Sequence, residues 1–129
     1  MIINGVQLPD PDTADVLFME KLEREQDAVT NWDENSEIKT RAQKIRAQCT
    51  AIFNFFDNMF GDGTAKKVFG EKVNLITCVD AYDEVLTEIN RVDAELAAKL
   101  RAKYVSKYLP NKGKKQKNKR YNNRKPKRR

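Results

Sequence analysis

Apolar residues recur along most of this chain at the three-and-four spacing of helices. Ile38, Ala42, Ile45, Cys49, Ile52, Phe56 and Met59 follow one another in steps of four, three, four, three, four and three. That is the seam of an amphipathic, coiled-coil-like helix. Phe53, Phe55 and Phe60 widen it, Asn35 or Ser36 is expected to cap it, and Gly61 and Gly63 are expected to stop it. A weaker pattern precedes it: Val16, Phe18, Met19, Leu22 and Val29, thinned by Glu25 and Gln26. It predicts a helix from Asp12 or Thr13 to about Asn31, with Asp12 as cap and Asp15 near the positive end of the dipole. A third pattern is the longest. Leu75, Cys78, Val79, Tyr82, Val85, Leu86, Ile89, Val92, Leu96, Leu100 and Tyr104 follow a capping Asn74. About 30 helical residues would make a rod of roughly 45 Å. Between the second and third helices, Thr64 is expected to cap a single turn over residues 65–69, closed by Gly70.

Strand signal is confined to the start. Residues 2–8 place β-branched and aliphatic residues around Asn4-Gly5, the strongest short hairpin signal. Pro9-Asp10-Pro11-Asp12 then breaks regular structure. The expected architecture is all-α: a three-helix bundle or long helical hairpin, with a short N-terminal β-ribbon and a disordered basic C-terminal tail. The second and third helices should pack antiparallel across the Phe-Gly loop. The outer end of the third, residues 96–109, should outrun its partners and need a second subunit or an extended partner.

Charge divides the chain where the periodicity ends. Residues 111–129 hold eleven Lys or Arg and no acid. Removing those eleven from 25 basic residues leaves 14 against 19 acids, so residues 1–110 carry about −5 and the remainder +11. The domain boundaries follow: a helical domain over 1–110 and a basic segment over 111–129, which lacks the apolar content to fold alone. Within the body, residues 1–37 hold ten acids against Lys21 and Arg24. The basic segment could neutralise phosphates through Lys112, Lys114, Lys115, Lys117, Lys119, Arg120, Arg124, Lys125, Lys127, Arg128 and Arg129, with Tyr108 and Tyr121 stacking on bases. It reads equally as a localisation signal, a solubilising end, or a partner for the acidic third of a neighbouring copy.

The chemistry available is sparse. Histidine is absent, which removes the commonest general base and metal ligand. Two serines, Ser36 and Ser106, have no partner base of the usual kind. Gly61-Asp62-Gly63-Thr64-Ala65-Lys66-Lys67 lacks the spacing of a phosphate loop and reads as a tight turn. Asp10, Asp12 and Asp15 lack the glycine and distal glutamate of a calcium loop. Cys49 and Cys78 fall on expected buried faces and read as small hydrophobes in a reducing compartment. No catalytic, cofactor or metal site is expected, and the chain reads as not an enzyme. No apolar run reaches the roughly 18–20 residues that cross a bilayer, and the N-terminus is unlike a signal peptide, so no membrane association and a cytosolic location are expected.

One stretch is specific. Phe55-Phe56-Asp57, Phe60-Gly61-Asp62-Gly63-Thr64, Phe69-Gly70, Lys72, Asn74-Leu75 and Tyr82 together resemble a family of small proteins from tailed phages and prophages. Ile3-Asn4-Gly5-Val6 and the end of the body at residues 108–111 fit the same pattern. The resemblance implies a protein of the tail-assembly module, similar to the helical tail assembly chaperones that bind the tape measure protein before the tail tube polymerises. The cluster Phe53, Phe55, Phe56, Phe60 and Phe69 reads first as a core face, with part of it left over as a partner groove. On the tail-assembly reading the partner is a tape measure or tail protein, bound through Phe53, Phe56, Phe60 and Phe69 and through Leu96, Leu100 and Tyr104. The chain would act in the cytoplasm of the bacterial host or remain in the virion. Homo-oligomerisation is an expected accompaniment. The alternatives are nucleic-acid binding through the basic segment and a minor structural role in the phage tail.

Overall fold

The Asn4-Gly5 turn sets the first element. In the computed structural model, which describes residues 1–35 and 37–108 with side chains through Tyr104, Asn4 and Gly5 stand at φ 50° and 79°. Paired positive φ values are what a type I′ turn requires. Strand β1 (Ile2–Ile3) therefore pairs antiparallel with β2 (Val6–Gln7), Ile3 opposite Val6. Four helices follow among the described residues: α1 (Val16–Thr30), α2 (Arg41–Phe60), α3 (Thr64–Phe69) and α4 (Leu75–Tyr108). The chain is thus helical with a two-stranded ribbon at its start, as the patterning predicts.

The helix starts depart from the sequence expectation in instructive ways. Helix α1 begins at Val16 with Asp15 as its N-cap, not at Asp12 or Thr13. Asp12 instead accepts the Ala14 N–H at 3.2 Å, a local turn that the intervening prolines favour. Helix α2 begins at Arg41, not after Asn35 or Ser36. Thr40 accepts the Gln43 N–H at 3.1 Å and the Gln43 side chain accepts the Thr40 N–H at 2.9 Å, a complete capping box. Asn35 makes a separate turn by accepting the Glu37 N–H at 2.9 Å; Ser36 lies outside the described residues. Asn74 does cap α4, accepting the Thr77 N–H at 3.1 Å.

Packing directions are fixed by a few contacts. Asn58 of α2 donates to Glu25 of α1 at 3.0 Å, while Trp32, beyond the far end of α1, lies near Gln43 and Arg46. Helices α1 and α2 are therefore antiparallel. Cys49 lies against Cys78, the Phe55 and Tyr82 rings meet edge to face at 4.9 Å, and Val73 lies beside Ala42 and Ile45. Residue numbers rise together along these three contacts, so α2 and α4 run parallel. This corrects the expected antiparallel hairpin. Helix α3 and the extended residues after it carry the chain back along α2: Ala65 meets Asp57, and Phe69 meets Phe53 and Phe56.

The described residues fall into two units, the first Met1–Asp93 and the second beginning at Ala94, and α4 continues from the first into the second. The expected boundary at residue 110 and the basic segment over 111–129 lie outside the described residues. In the first unit the core gathers Cys49, Ile52, Phe55, Phe56 and Met59 of α2, Val68 and Phe69 of α3, and Cys78, Ala81, Val85 and Ile89 of α4. Leu22 of α1 and Met1, Ile3 and Leu8 of the ribbon close it. The ribbon is tied down by Asn4, whose side-chain amide donates to the Val68 carbonyl at 2.7 Å and whose backbone N–H donates to Glu84 at 3.1 Å. Both cysteines are free and fully buried.

Candidate functional site

The aromatic residues proposed from sequence as partner contacts form the interior of the first unit. Phe56 and Phe69 are buried, with their rings 5.2 Å apart and perpendicular. Phe53 and Phe60 are half-buried and pack onto them, at 5.0 Å from Phe69 and 6.1 Å from Phe56. Such offset and edge contacts add to burial energy. Phe56 and Phe69 are thus closed to a partner, and only the outer edges of Phe53 and Phe60 reach the surface. The core reading of the cluster therefore holds, and the placement of Phe56 and Phe69 on a partner face is corrected.

The stretch from Phe55 to Tyr82 builds the same region. Asp57 accepts the Ala65 N–H at 2.8 Å, capping α3 from the preceding helix. The Thr64 hydroxyl donates to the Gly61 carbonyl at 2.6 Å rather than capping the turn. Gly61 stands at φ 113°, a region that L side chains rarely occupy. The motif is a device for reversing the chain after α2.

A surface groove lies on the other side of α2. It encloses about 520 Å³ and runs from Gln43 along Arg46, Ala47, Thr50 and Ala51 to Asn54. At 100° per residue these positions point about half a turn away from Cys49, Ile52 and Phe56. Trp32, Asn35, Glu37 and Ile38, from the segment between α1 and α2, wall the far side. The Thr40 capping box holds the start of α2 rigidly beside that wall. Ala47, Thr50 and Ala51 are small enough for another backbone to approach closely. Trp32 and Ile38, both half-buried, offer apolar area, and Glu37 and Arg46 offer one charge of each sign. Sequence reading missed this groove. Its signals were the only tryptophan of the chain and the run of small residues on the back of the phenylalanine seam. A smaller recess of about 330 Å³ lies between the first turns of α2 and Val73, lined by Ala42, Gln43, Ile45 and Arg46. Val73, Ile76 and Val79 at the start of α4 are exposed.

In the second unit α4 carries Leu96 and Tyr104 half-buried and Leu100 exposed, with the Lys103 ammonium 5.5 Å from the Tyr104 ring centre. The eleven basic residues named from sequence, Lys112 to Arg129, lie outside the described residues.

The titratable groups with displaced pKa values are structural. Burial and the neighbouring Cys49 push the Cys78 thiol up to about 12. Burial also raises the Tyr82 phenol. The N-terminal ammonium lowers Asp10, and hydrogen bonds from Arg91 lower Glu88, with the Arg91 guanidinium donating at 2.6 Å and 3.1 Å. Among the described residues no group of His, Cys, Asp and Glu is arranged to hold a metal ion, and no helix is long and apolar enough to cross a membrane.

Fold and groove together define a small helical protein with an open groove along α2. By sequence, the chain belongs to a family of unknown function (DUF6673), whose model matches residues 4–127. The match therefore takes in the Asn4-Gly5 turn and β2 of the ribbon, the four described helices and most of the basic segment. No curated protein and no solved structure matches the chain.

Proposed function

We propose that this protein is a non-enzymatic assembly chaperone of a tailed phage, and that it binds a helical segment of the tape measure or another tail protein. The observation that carries the binding reading is the groove between α2 and the Trp32–Ile38 wall. From Gln43 to Asn54 it follows α2 for about 17 Å, or three turns. An amphipathic helix presents anchors at i, i+3, i+4 and i+7, which span about 10 Å and fit within that length. The small side chains of the floor admit a helix backbone, and the tryptophan wall receives its apolar anchors. The phage assignment rests on the resemblance carried by residues 55–82 and by the ribbon.

The test uses the full chain and synthetic helical segments of a tape measure protein from the same genome. Thr50 and Asn54 are exposed, so Thr50→Arg with Asn54→Arg fills the groove without touching the core. The double variant should lose at least tenfold in affinity at an unchanged melting temperature. Binding that survives both arginines removes the groove from the account, and failure of every tape-measure segment to bind removes the chaperone reading.

A second reading draws on the +11 charge of residues 111–129. If the chain works on nucleic acid, affinity should fall steeply with salt and vanish on deletion of residues 112–129. The chaperone reading predicts that the same deletion leaves peptide binding intact.

A further inference from the structure

Helix α4 is segregated by charge along its length. From Asp80 to Glu95 it carries six acids and a single base, Arg91. From Leu96 to its end it carries Lys99, Arg101, Lys103 and Lys107 and no acid. The change of sign falls at the start of the apolar row Leu96, Leu100 and Tyr104. Leu100 remains 45% exposed, a poor resting state for a leucine flanked by its own row.

We propose that a second copy of this chain covers that row, with the two α4 helices antiparallel and centred between Leu96 and Leu100. Helical spacing sorts the flanking charges. Viewed down the axis, Asp93 and Arg101 fall on one flank of the row, and Glu95, Lys99 and Lys103 on the other. In an antiparallel pair each flank meets its own counterpart, reversed in direction. Asp93 then faces the second copy's Arg101, and Glu95 faces the second copy's Lys99 and Lys103. Both flanks are complementary, twice over by symmetry. A parallel pair sets each flank against the opposite one in register. That arrangement puts acid beside acid and base beside base, so charge selects the antiparallel dimer and rejects the parallel one. Leu96 of each copy packs on Leu100 of the other, and Tyr104 reaches the turn containing Val92. The inference is independent of the chaperone reading, because none of these residues lines the α2 groove.

Sedimentation equilibrium on the full chain tests it. At low salt the mass should approach twice the 14.9 kDa of the chain, with dissociation as salt rises. Asp93→Lys with Glu95→Lys should weaken the dimer at least tenfold. Both side chains are exposed and lie outside the core, and an unchanged melting temperature checks that the fold is kept. Adding Lys99→Glu, Arg101→Glu and Lys103→Glu to that variant should restore it. Orientation is read from engineered cysteines, since Cys49 and Cys78 are fully buried and silent. Tyr104→Cys mixed with Val92→Cys should form a cross-linked heterodimer, while Tyr104→Cys alone should not link to itself. A monomer at every concentration, charge reversal without effect, or efficient self-linking at position 104 would each overturn the proposal.

Discussion

Gly61 shows how much of this fold turns on single residues. Its φ of 113° lets the chain leave α2 and enter α3 within three residues, and a Cβ there would meet no atom within 4 Å. Replacement by alanine therefore meets backbone strain with no steric clash to confuse it. Gly61→Ala should lower stability by about 1–3 kcal/mol in urea unfolding; an unchanged midpoint would show that the turn has a second conformation open to it. Cys78 makes a prediction of opposite character. Its unfolded thiol ionises near 9.0, whereas the folded one stays protonated to about 12. Between those values the unfolded chain binds fewer protons than the folded chain, so stability should fall as pH rises from 9 toward 12. Below pH 9 this group contributes no pH dependence. The rise of the Tyr82 phenol acts in the same direction. Stability that is flat across that window would contradict the burial of this pair. The fate of Cys49 and Cys78 was legible in sequence, because each occupies a position in an apolar repeat that only a buried face explains.

At the level of elements, the sequence pattern identified the described helices, and Gly61 and Gly70 end α2 and α3 as expected, but the beginnings of α1, α2 and α3 were misplaced. Start signals compete: Asn35, Ser36 and Thr40 are all good caps, and only Thr40 has a glutamine three residues on to complete a capping box. Thr40→Ala should cost about 1 kcal/mol and fray the first turn of α2, visible as faster amide exchange at residues 41–44. Equal exchange in the two proteins would return the cap to the upstream residues. Direction was the larger miss. An apolar stripe says which side of a helix is buried and nothing about the polarity of its neighbour. The fourteen residues between α2 and α4 looked like a loop for reversing direction once. Six of them form α3, about 9 Å long, and the rest can extend for about 26 Å, against roughly 30 Å for α2. That reach is enough to return the chain to the start of α2 and begin α4 parallel to it.

At the scale of the whole molecule, an acidic body of residues 1–110 is joined to a basic segment of residues 111–129. The phenylalanines that suggested a binding face by their number are spent on the core, because a ribbon and four short layers have few other large side chains to fill it. The groove was nearly illegible beforehand. It depends on where the segment between α1 and α2 comes to rest, which no periodicity encodes. The outer row of α4 was legible as a run of apolar residues at helical spacing, and its charge segregation proposes what meets it. The central claim is that the α2 groove accepts a helix, and Trp32 is placed to report it. As the only tryptophan, half-buried in the wall of that groove, it should shift to shorter emission wavelength as a tape-measure helix saturates the site. The Thr50→Arg, Asn54→Arg protein should show no shift at the same concentrations. Binding detected by calorimetry with the Trp32 emission unmoved would place the partner elsewhere and contradict the account.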